Sequence, residues 1–487
     1  MSPMLRESRF DFRAGLNTAF SQDTRDQREL AVAQNCRHGE YGAIEKRAGT
    51  QRIHENAIGG GANVLGLVQY FPSAGRTVVA ISNGDLYHKL QTADNFTEVS
   101  GSFSTTVRPG FAVHIISGTP TLYIADGTLR SWNGTSISAV SGAPNALRLA
   151  VYKTRMFASD GTKTIYWSKV SDPSVWASPD GGSAQVETYD ATGIIGLEVV
   201  GGSLLIFKEN SIARFRGVDA DTIEIDLRTD GVSPDVGAIA AGSIVRVEET
   251  VFFVSDRGPY LATEAGVKAV GVNIEPAFDS ASLTNLSNAV SVHHKARREV
   301  WVFIPESGES TNNVGYCWNY RVGSWTGPWY FSDEFDVCAA AQYELTDATE
   351  SVILGGYDGF VRRGDVTAVG AVDDVLKDDS GGTNITLVMT LPDLLFGDAT
   401  AVKKLRMAQE IEADLKTSGS LVVAVTGDHH SGSQSVTLAS TGTGVKPYRF
   451  RPGTQGRRLV LSMTDATAEI IQINGITLAS DAVRRTA

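Results

Sequence analysis

The stretch LLIFKENSIARFRG, residues 204–217, sets the pattern that the rest of the chain repeats. An apolar run ends at a short polar turn containing Glu209 and Asn210, and a second run of alternating apolar and polar residues follows. Tight turns of this kind join antiparallel strands, because Asn, Asp and Gly adopt the required backbone angles at little cost. The stretch therefore predicts a β-hairpin.

Five further stretches follow the same plan of apolar strand, tight turn and second strand. They are VVAISNGDLYHKL from residue 78, TLYIADGTLRSWNG from 121, MFASDGTKTIYWSK from 156, VFFVSDRGPYLATE from 251 and VILGGYDGFVRRGD from 352. Neighbouring copies are separated by roughly 35 to 50 residues, a period typical of propeller blades. Beside these copies, the charges of Lys208, Glu209, Arg214 and Arg216 are predicted to lie on a turn and an outer strand face, as solubility requires.

The strand signals of the middle of the chain divide into seven units. Their ranges are 64–99, 111–140, 146–176, 194–227, 238–272, 289–328 and 337–364. A four-stranded blade buries its faces only against neighbouring blades, so a closed ring is expected. We predict a β-propeller-like domain of five to seven blades over residues 64–370. Its last unit is either a seventh blade or closes the ring with an early strand.

The two ends of the chain differ from this repeat. Residues 1–63 are predicted to form an extended N-terminal segment, with a short helix in SQDTRDQRELAVAQNCRHG (21–39) and a strand after it. Residues 381–487 contain seven strand-like runs separated by Gly, Asp and Ser, which predict an antiparallel β-sandwich. Its run KKLRMAQEIEADL (403–415) could be a helix, but its alternation favours a strand. The predicted fold class is all-β.

Composition and charge narrow the function classes. The chain has 487 residues and 20% charged side chains, and no run reaches the roughly 20 apolar residues of a membrane-spanning helix. Its start has no apolar region typical of a secretion signal. The three cysteines, Cys36, Cys317 and Cys338, lack metal-ligand spacing and are predicted to be buried thiols.

The net charge of −12 is unevenly distributed, with +1 in residues 1–55, −15 in residues 56–380 and +2 in residues 381–487. A nucleic-acid reader normally shows the opposite sign, because phosphate neutralisation supplies most of its affinity. The acidic middle is either an ordinary solvated surface or part of a lumen along which DNA slides without adhering.

The sequence offers no catalytic, cofactor-binding or metal-binding motif. The adjacent pairs His293–His294 and His429–His430 would point to opposite faces of a strand, so they are expected at strand edges or in exposed loops. Asp126, Asp160 and Asp256 sit in hairpin turns, where Asp is favoured for backbone geometry. We predict that the protein is not an enzyme.

An aromatic cluster lies in the sixth unit. Its members are Trp318, Tyr320, Trp325, Trp329 and Tyr330. Such rings could stack on sugars, but blade packing or an interface with another subunit is the favoured interpretation.

Three stretches together resemble structural tail proteins of tailed bacteriophages. The first, GLNTAFSQDTRDQRELAVAQNCRHGEYGAIEKRAGTQRI (15–53), contains Gly15, Leu16, Asn17 and Asn35, followed by the Lys46–Arg47–Ala48–Gly49 turn. The second is LLIFKENSIARFRG itself, and the third is RRLVLSMTDATAEIIQINGITLAS (457–480). The pattern is most similar to the tail nozzle, or hub, proteins of short-tailed phages.

This resemblance implies a virion protein that is made in the host cytoplasm and assembles into a homo-oligomeric ring, commonly a hexamer. Such a ring would contact an adaptor protein above and fibres or a needle below, and would form or close the DNA exit channel. DNA would pass without specific binding. Candidate interface residues are Arg13, Gly15, Asn17, Asn35, Arg47, Trp318, Trp325 and Trp329.

Two other functions remain open from the sequence. One is a carbohydrate-binding or carbohydrate-cleaving β-propeller, which would be a monomer with facing carboxylates in a central pocket. The other is a scaffold protein that uses its propeller as a peptide-binding platform.

Overall fold

The structure is a computed structural model. It describes residues 4–482 except 10, 22–23, 73–74, 117, 189, 218–222, 227–231, 282, 332–334, 378–380, 397–401, 406–408 and 429. The fold is all-β, with a propeller of seven blades and a β-sandwich whose strands come from both ends of the chain.

The opening stretch forms the predicted hairpin, in which Ser203–Lys208 pairs with Ile212–Gly217. Alternate side chains of the first strand point to opposite faces, as the strand period of two requires. Leu204 packs toward the preceding blade and Phe207 toward the following one, where its ring lies 5.3 Å from that of Phe253. Both faces are buried, so the strand reads as a continuous apolar run.

Six blades are four-stranded antiparallel sheets formed by consecutive strands, the sixth being part of a larger sheet. Blade 1 consists of Val64–Tyr70, Thr77–Ser82, Asp85–Leu90 and Thr97–Val99; blade 2 of Gly110–Ile116, Thr119–Ala125, Leu129–Trp132 and Ile137–Ala139; blade 3 of Arg148–Tyr152, Arg155–Ser159, Thr164–Trp167 and Gly182–Gln185. Blade 4 consists of Ile194–Val200, Ser203–Lys208, Ile212–Gly217 and Ile223–Asp226; blade 5 of Val245–Val247, Thr250–Ser255, Gly258–Thr263 and Gly266–Ala269; blade 6 of Val290–His294, Glu299–Ile304, Val314–Asn319 and Ser324–Tyr330.

Blade 7 is closed by a strand from the other end of the chain. Val337–Glu344, Glu350–Gly356 and Val361–Val366 supply three of its strands, and Gly49–Arg52 pairs with the last of them as the fourth. The two alternatives for the last unit are therefore both realised: it is a seventh blade, and an early strand completes it. This pairing ties the N-terminal segment into the ring.

A hydrophobic cluster lies between every pair of adjacent blades, including blades 7 and 1. In that last cluster Val64 and Ala80 of blade 1 pack with Ala339 and Ile353 of blade 7. Seven interfaces of this kind close the ring, because each blade buries both faces against its neighbours.

The sandwich has two sheets. One contains Lys446–Phe450, Gln409–Asp414, Gln472–Ala482, Lys403–Lys404 and Gln455–Gly456, joined by Met4–Arg9, Cys36–His38 and Ile44–Lys46. The other contains Leu387–Thr390, Leu459–Asp465, Ser420–Gly427 and His430–Ala439. The strand Gln409–Asp414 confirms the strand interpretation for the described part of residues 403–415.

The strand Val32–Gln34 joins the propeller to the sandwich. On one side Ala33 pairs with Gly327 of blade 6, and on the other with Met389 of the sandwich. The result is one nine-stranded sheet that runs from the first strand of blade 6 to His430–Ala439. The hydrophobic core is correspondingly continuous from blades 5 and 6 into the sandwich.

The helix predicted in residues 21–39 is wrong for its described part, since residues 24–38 contain the strands Glu29–Leu30, Val32–Gln34 and Cys36–His38. Pairing with blade 6 and the sandwich overrides a local sequence that could form a helix. Ser21 and Asp23 are the residues that could have capped such a helix. The Ser21 carbonyl instead accepts from the Thr24 N–H at 3.1 Å, and Asp23 lies outside the described residues.

The remaining elements are short. Gly15–Leu16 pairs in parallel with Glu29–Leu30, and Val372–Asp373 pairs with Thr383–Asn384. The α-helices are Glu275–Asp279 and Leu283–Leu286, and the 3₁₀ turns are Glu40–Gly42, Ile58–Gly60, Ala241–Ser243, Val272–Ile274, Lys295–Arg297 and Thr367–Val369.

Candidate functional site

The predicted interface residues gather mainly where the N-terminal segment meets blade 6 and the sandwich, a region we call the junction. Seven of the eight are buried or closely packed within the chain, and Arg13 alone among them has an exposed side chain. Their contacts within the chain show how the junction is held together.

Gly15 lies directly on the backbone of blade 6. A Cβ at this position would fall 2.4 Å from the carbonyl oxygen of Trp325, and its φ of +66° is in the left-handed region that favours glycine. The Trp325 indole donates to the carbonyl of Val270 at 2.6 Å and stacks on Trp318. Asn17 caps its own turn, accepting from the backbone N–H of Ala19 at 3.0 Å.

Asn35, Arg47 and Trp329 form a second group. The Asn35 side chain donates to the carbonyl of Thr386 at 2.8 Å and accepts from the Tyr330 N–H at 3.0 Å. Arg47 pairs with the buried Asp373, with Nη1 and Oδ1 2.8 Å apart, and Trp329 donates to the carbonyl of Cys36 at 2.6 Å. This group fastens the N-terminal segment to blade 6.

The three indoles of the aromatic cluster are at most 5% exposed, so they cannot present a ring face to a sugar. They pack within the core between blades 5, 6 and 7. The packing interpretation is confirmed for Trp318, Trp325 and Trp329.

A buried charge cluster, which the sequence did not predict, lies beneath the junction. The guanidinium of Arg37 pairs with Asp365, with Glu299 at 3.0 Å and with Glu45 at 3.5 Å. Asp365 also accepts from His294 at 3.2 Å and Arg297 at 2.9 Å. One N-terminal arginine is thus surrounded by side chains of its own hairpin, blade 6 and blade 7.

Electrostatics within this cluster follow from burial and pairing. Burial alone would raise the pKa of Asp365, but the charges of Arg37 and Arg297 and the His294 hydrogen bond hold it below its usual range. Burial raises the pKa of Glu45, partly offset by Arg37. Asp365 therefore stays ionised and fixes Arg37 in place.

His293 and His294 end Val290–His294, an edge strand of its sheet, so the strand-edge expectation is confirmed, but both side chains are buried and the exposed-loop alternative is wrong. His293 faces the Tyr320 hydroxyl at 3.1 Å. His429 lies outside the described residues, and His430 begins a sandwich strand. The described residues contain no group of three or more His, Cys, Asp or Glu arranged to hold a metal ion.

His38 and Ser324 contact each other at the edge of the junction, with Nε2 and Oγ 2.9 Å apart. This pair does not form an activated nucleophile. Ser324 donates its proton to the carbonyl of Arg13 at 2.6 Å, and Nδ1 of His38 has no carboxylate to orient it. Burial lowers the pKa of His38 to about 4, which keeps the imidazole neutral.

The three aspartates considered as catalytic candidates lie in hairpin turns and accept hydrogen bonds there. Asp126 accepts from the Ser104 N–H at 2.6 Å, and Asp160 accepts from the Thr162 N–H at 2.9 Å. Asp256 accepts from the neighbouring Ser255 hydroxyl at 2.7 Å. Asp160 bonds the backbone of its own hairpin, as predicted. The Ser104 N–H bound by Asp126 lies outside its hairpin, and Asp256 bonds a side chain instead of the backbone.

Above the charge cluster is an open cleft of about 810 Å³, which we call the junction cleft. The N-terminal segment forms one wall and two hairpin turns of blade 6 form the other. Its basic residues are Arg13, Arg297, Arg298 and Arg321. Arg298 and Arg321 make no ion pair with a carboxylate anywhere in the described part of the chain, although Glu40, Glu45 and Glu299 also line the cleft.

Comparisons with known proteins give alignments with solved structures at low sequence identity, and they show no family. The chain matches no protein-family model and no curated protein. A solved structure titled as the mitotic checkpoint complex aligns at 11% identity with a TM-score of 0.42, covering 66% of this chain and 93% of that one. The N-terminal domain of Nup159 aligns at 10% identity and a TM-score of 0.39, covering 69% and 98%. The structure of BBS1N in complex with ARL6DN aligns at 10% identity with a TM-score of 0.42, covering 66% of this chain and 99% of that one.

Among the residues that the structure describes, no helix is long and apolar enough to cross a membrane.

Proposed function

We propose that the chain is a structural subunit of a phage tail, a nozzle or hub protein that assembles into a ring. Its contacts would be with an adaptor protein on one side and with fibres or a needle on the other. The ring would form or close the DNA exit channel of the virion, without specific DNA binding and without catalysis.

One observation carries the proposal: buried ion pairs fasten the N-terminal segment to the propeller and to the sandwich. Arg37 with Asp365, Arg47 with Asp373 and Lys46 with Asp465 all connect the N-terminal segment to distant parts of the chain. Buried pairs require precise geometry, since an unmatched buried charge is costly. A junction of this kind suits a subunit that must transmit force as one body.

The junction cleft supports the assembly part of the proposal. Arg13, Arg298 and Arg321 face solvent there, although residues 56–380, which include Arg298 and Arg321, carry a net charge of −15. Basic side chains in a cleft of a chain that is acidic overall would favour contact with acidic groups of another copy, and charge complementarity steers association. A heterologous contact produces a closed ring when the rotation that it repeats closes on itself.

The carbohydrate-active alternative has less support. It depended on aromatic rings available for stacking and on paired carboxylates. The indoles are buried, and the candidate aspartates are engaged in turns.

Native mass spectrometry and electron microscopy of the purified protein test the proposal. We expect rings of defined copy number, alone or after mixing with portal and adaptor proteins. The double variant Arg298→Glu/Arg321→Glu should weaken assembly at least tenfold, because it reverses the charge of the cleft. Lys268→Glu, an exposed charge reversal on the outer strand of blade 5, is the matched control. A protein that stays monomeric at all concentrations and binds no adaptor would contradict the proposal.

A further inference from the structure

A cavity runs along the axis of the propeller, which we call the axial cavity. Its deeper chamber, of about 330 Å³, is lined by residues from every blade. They include Leu67, Phe111, Leu149, Leu197, Val245, Val292 and Ala341. A second chamber of about 180 Å³ shares part of this lining and continues toward the beginnings of the same strands.

Arg108 lines the smaller chamber just before the first strand of blade 2. Its Nη1 is buried and has no hydrogen-bond partner. Its Nη2 has only weak contacts, with the Tyr357 hydroxyl at 3.4 Å and the Cys338 sulfur at 4.0 Å. A buried donor without a partner costs free energy, so this guanidinium has unused capacity to bind an acceptor.

Arg148 lines both chambers at the start of blade 3. Among the described residues it donates to main-chain carbonyls, to Ile195 at 2.6 Å and to Leu147 at 3.1 Å. Burial lowers the pKa of Arg148, and the nearby positive charge of Arg108 lowers it further. Two guanidinium groups thus repel each other within one cavity.

No carboxylate among the described residues forms an ion pair with either arginine. Glu198 lies in the deeper chamber, but burial raises its pKa to about 7, and the cation that influences it is Arg246. The charge of the arginine pair is therefore not balanced from within the described chain.

Glycine keeps space open next to Arg108. A Cβ on Gly242, which lines both chambers, would lie 3.2 Å from Nη1 of Arg108 and 2.9 Å from the carbonyl oxygen of Ala289. The smaller chamber is below the roughly 300–1,000 Å³ of pockets for drug-sized ligands, so only a small group fits.

We propose that the axial cavity binds a small oxyanion between Arg108 and Arg148. Guanidinium groups present forked N–H donors that match the oxygens of phosphate or carboxylate. Bound there, the anion would accept from Nη1 of Arg108 and offset the repulsion between the two arginines. The site is independent of ring assembly.

Isothermal titration calorimetry on the full-length protein tests this site, with inorganic phosphate, sulfate and acetate as separate ligands at constant ionic strength. We expect saturable binding of at least one of them, and at least a tenfold weaker affinity in Arg108→Gln. Arg108→Lys should retain part of the affinity, because it keeps the charge but loses the fork. Preference for acetate over phosphate would assign the site to a carboxylate, and the reverse would assign it to a phosphate group.

The control is Arg449→Gln, which removes an exposed arginine of the sandwich and should bind as the wild type does. Arg108 has weak hydrogen bonds in the fold, so Arg108→Gln should remain folded, which near-ultraviolet circular dichroism would verify. Absence of binding to the wild type, or equal affinity in folded Arg108→Gln, would overturn the proposal.

Discussion

Nζ of Lys46 lies 2.8 Å from Oδ2 of Asp465, and both side chains are fully buried although 419 positions separate them in the sequence. Lys46 ends the strand Ile44–Lys46, which pairs with Gln472–Ala482, and Asp465 ends the strand Leu459–Asp465 in the other sandwich sheet. The ion pair therefore fastens the N-terminal segment between the two sheets of the C-terminal domain.

Replacing Lys46 by Met should destabilise the protein by about 3–5 kcal/mol, because it leaves the Asp465 carboxylate buried without its cationic partner. Chemical denaturation followed by circular dichroism measures the change. The double variant Lys46→Met/Asp465→Leu should recover most of the loss, since no unmatched charge remains. Arg449→Ala breaks an exposed ion pair with Glu410 and should cost less than about 1 kcal/mol. If Lys46→Met lost no more stability than the control variant, a buried ion pair between Lys46 and Asp465 would be contradicted.

Gly49→Ala should weaken the closure of the propeller ring. A Cβ at Gly49 would lie 1.7 Å from the carbonyl oxygen of Val372, so the strand Gly49–Arg52 must move away from its neighbours. We expect a loss of about 3 kcal/mol or more, near the upper range of overpacking. Gly202→Ala is the matched control, because its nearest neighbour would be an oxygen of Glu264 at 3.7 Å. Equal melting temperatures for the two variants would show that the closing strand is not where the structure places it.

Stability should fall as the pH decreases from about 6.5 to 4, and His54 should contribute to the decrease. His54 Nε2 accepts from the Val361 N–H at 2.8 Å, which requires a neutral ring. Burial lowers the pKa of His54 to about 4, below its value of about 6.5 in the unfolded chain. The unfolded state then takes up the proton first, so the stabilisation is complete above pH 6.5 and is lost toward pH 4.

The His54 contribution can be isolated from denaturation curves of the wild type and of His54→Gln between pH 4 and 7. The side-chain oxygen of glutamine can accept the Val361 N–H without titrating. Between pH 7 and 4, the free energy of unfolding should decrease by up to about 3 kcal/mol less in the variant than in the wild type. Parallel pH dependences for the two proteins would exclude this role for His54.

The three cysteines should be unreactive toward an aromatic disulfide reagent at pH 8 in the folded protein. All three are at most 1% exposed, and burial raises the pKa of each thiol, which removes the reactive thiolate. Denaturant should release three equivalents per chain. Ser141→Cys, at an exposed position, should react at once and serves as the positive control. Rapid labelling of a native cysteine would contradict the buried arrangement.

Local sequence was sufficient to predict the blades. In blade 1 the Asn83–Gly84 turn has φ angles of +50° and +89°, which Asn and Gly adopt more readily than other residues. The strands before and after this two-residue turn therefore pair directly, beginning with Ser82 and Asp85. The seven units predicted from such turns lie at the seven blades. The same reasoning correctly identified Gln409–Asp414 as a strand.

Predictions about exposure were less successful where a distant segment covers a side chain. Lys208 was expected on a turn or an outer strand face, but it is fully buried and donates to Thr188 at 3.0 Å and to the carbonyl of Asp190. His293 and His294 are also buried, and they contact Tyr320 and Asp365, respectively. In each case the partner is not part of the strand on which the residue lies.

The sequence by itself determined the hairpins, the all-β class and the repeating plan of the blades, because turns and strand alternation depend on residues close together in the chain. Only the tertiary structure decided that Gly49–Arg52 closes blade 7, that Val32–Gln34 joins blade 6 to the sandwich, and that Arg37 meets Asp365. These contacts join residues hundreds of positions apart, and their free energy depends on desolvation and on pairing geometry that exist only after the ring and the sandwich have formed.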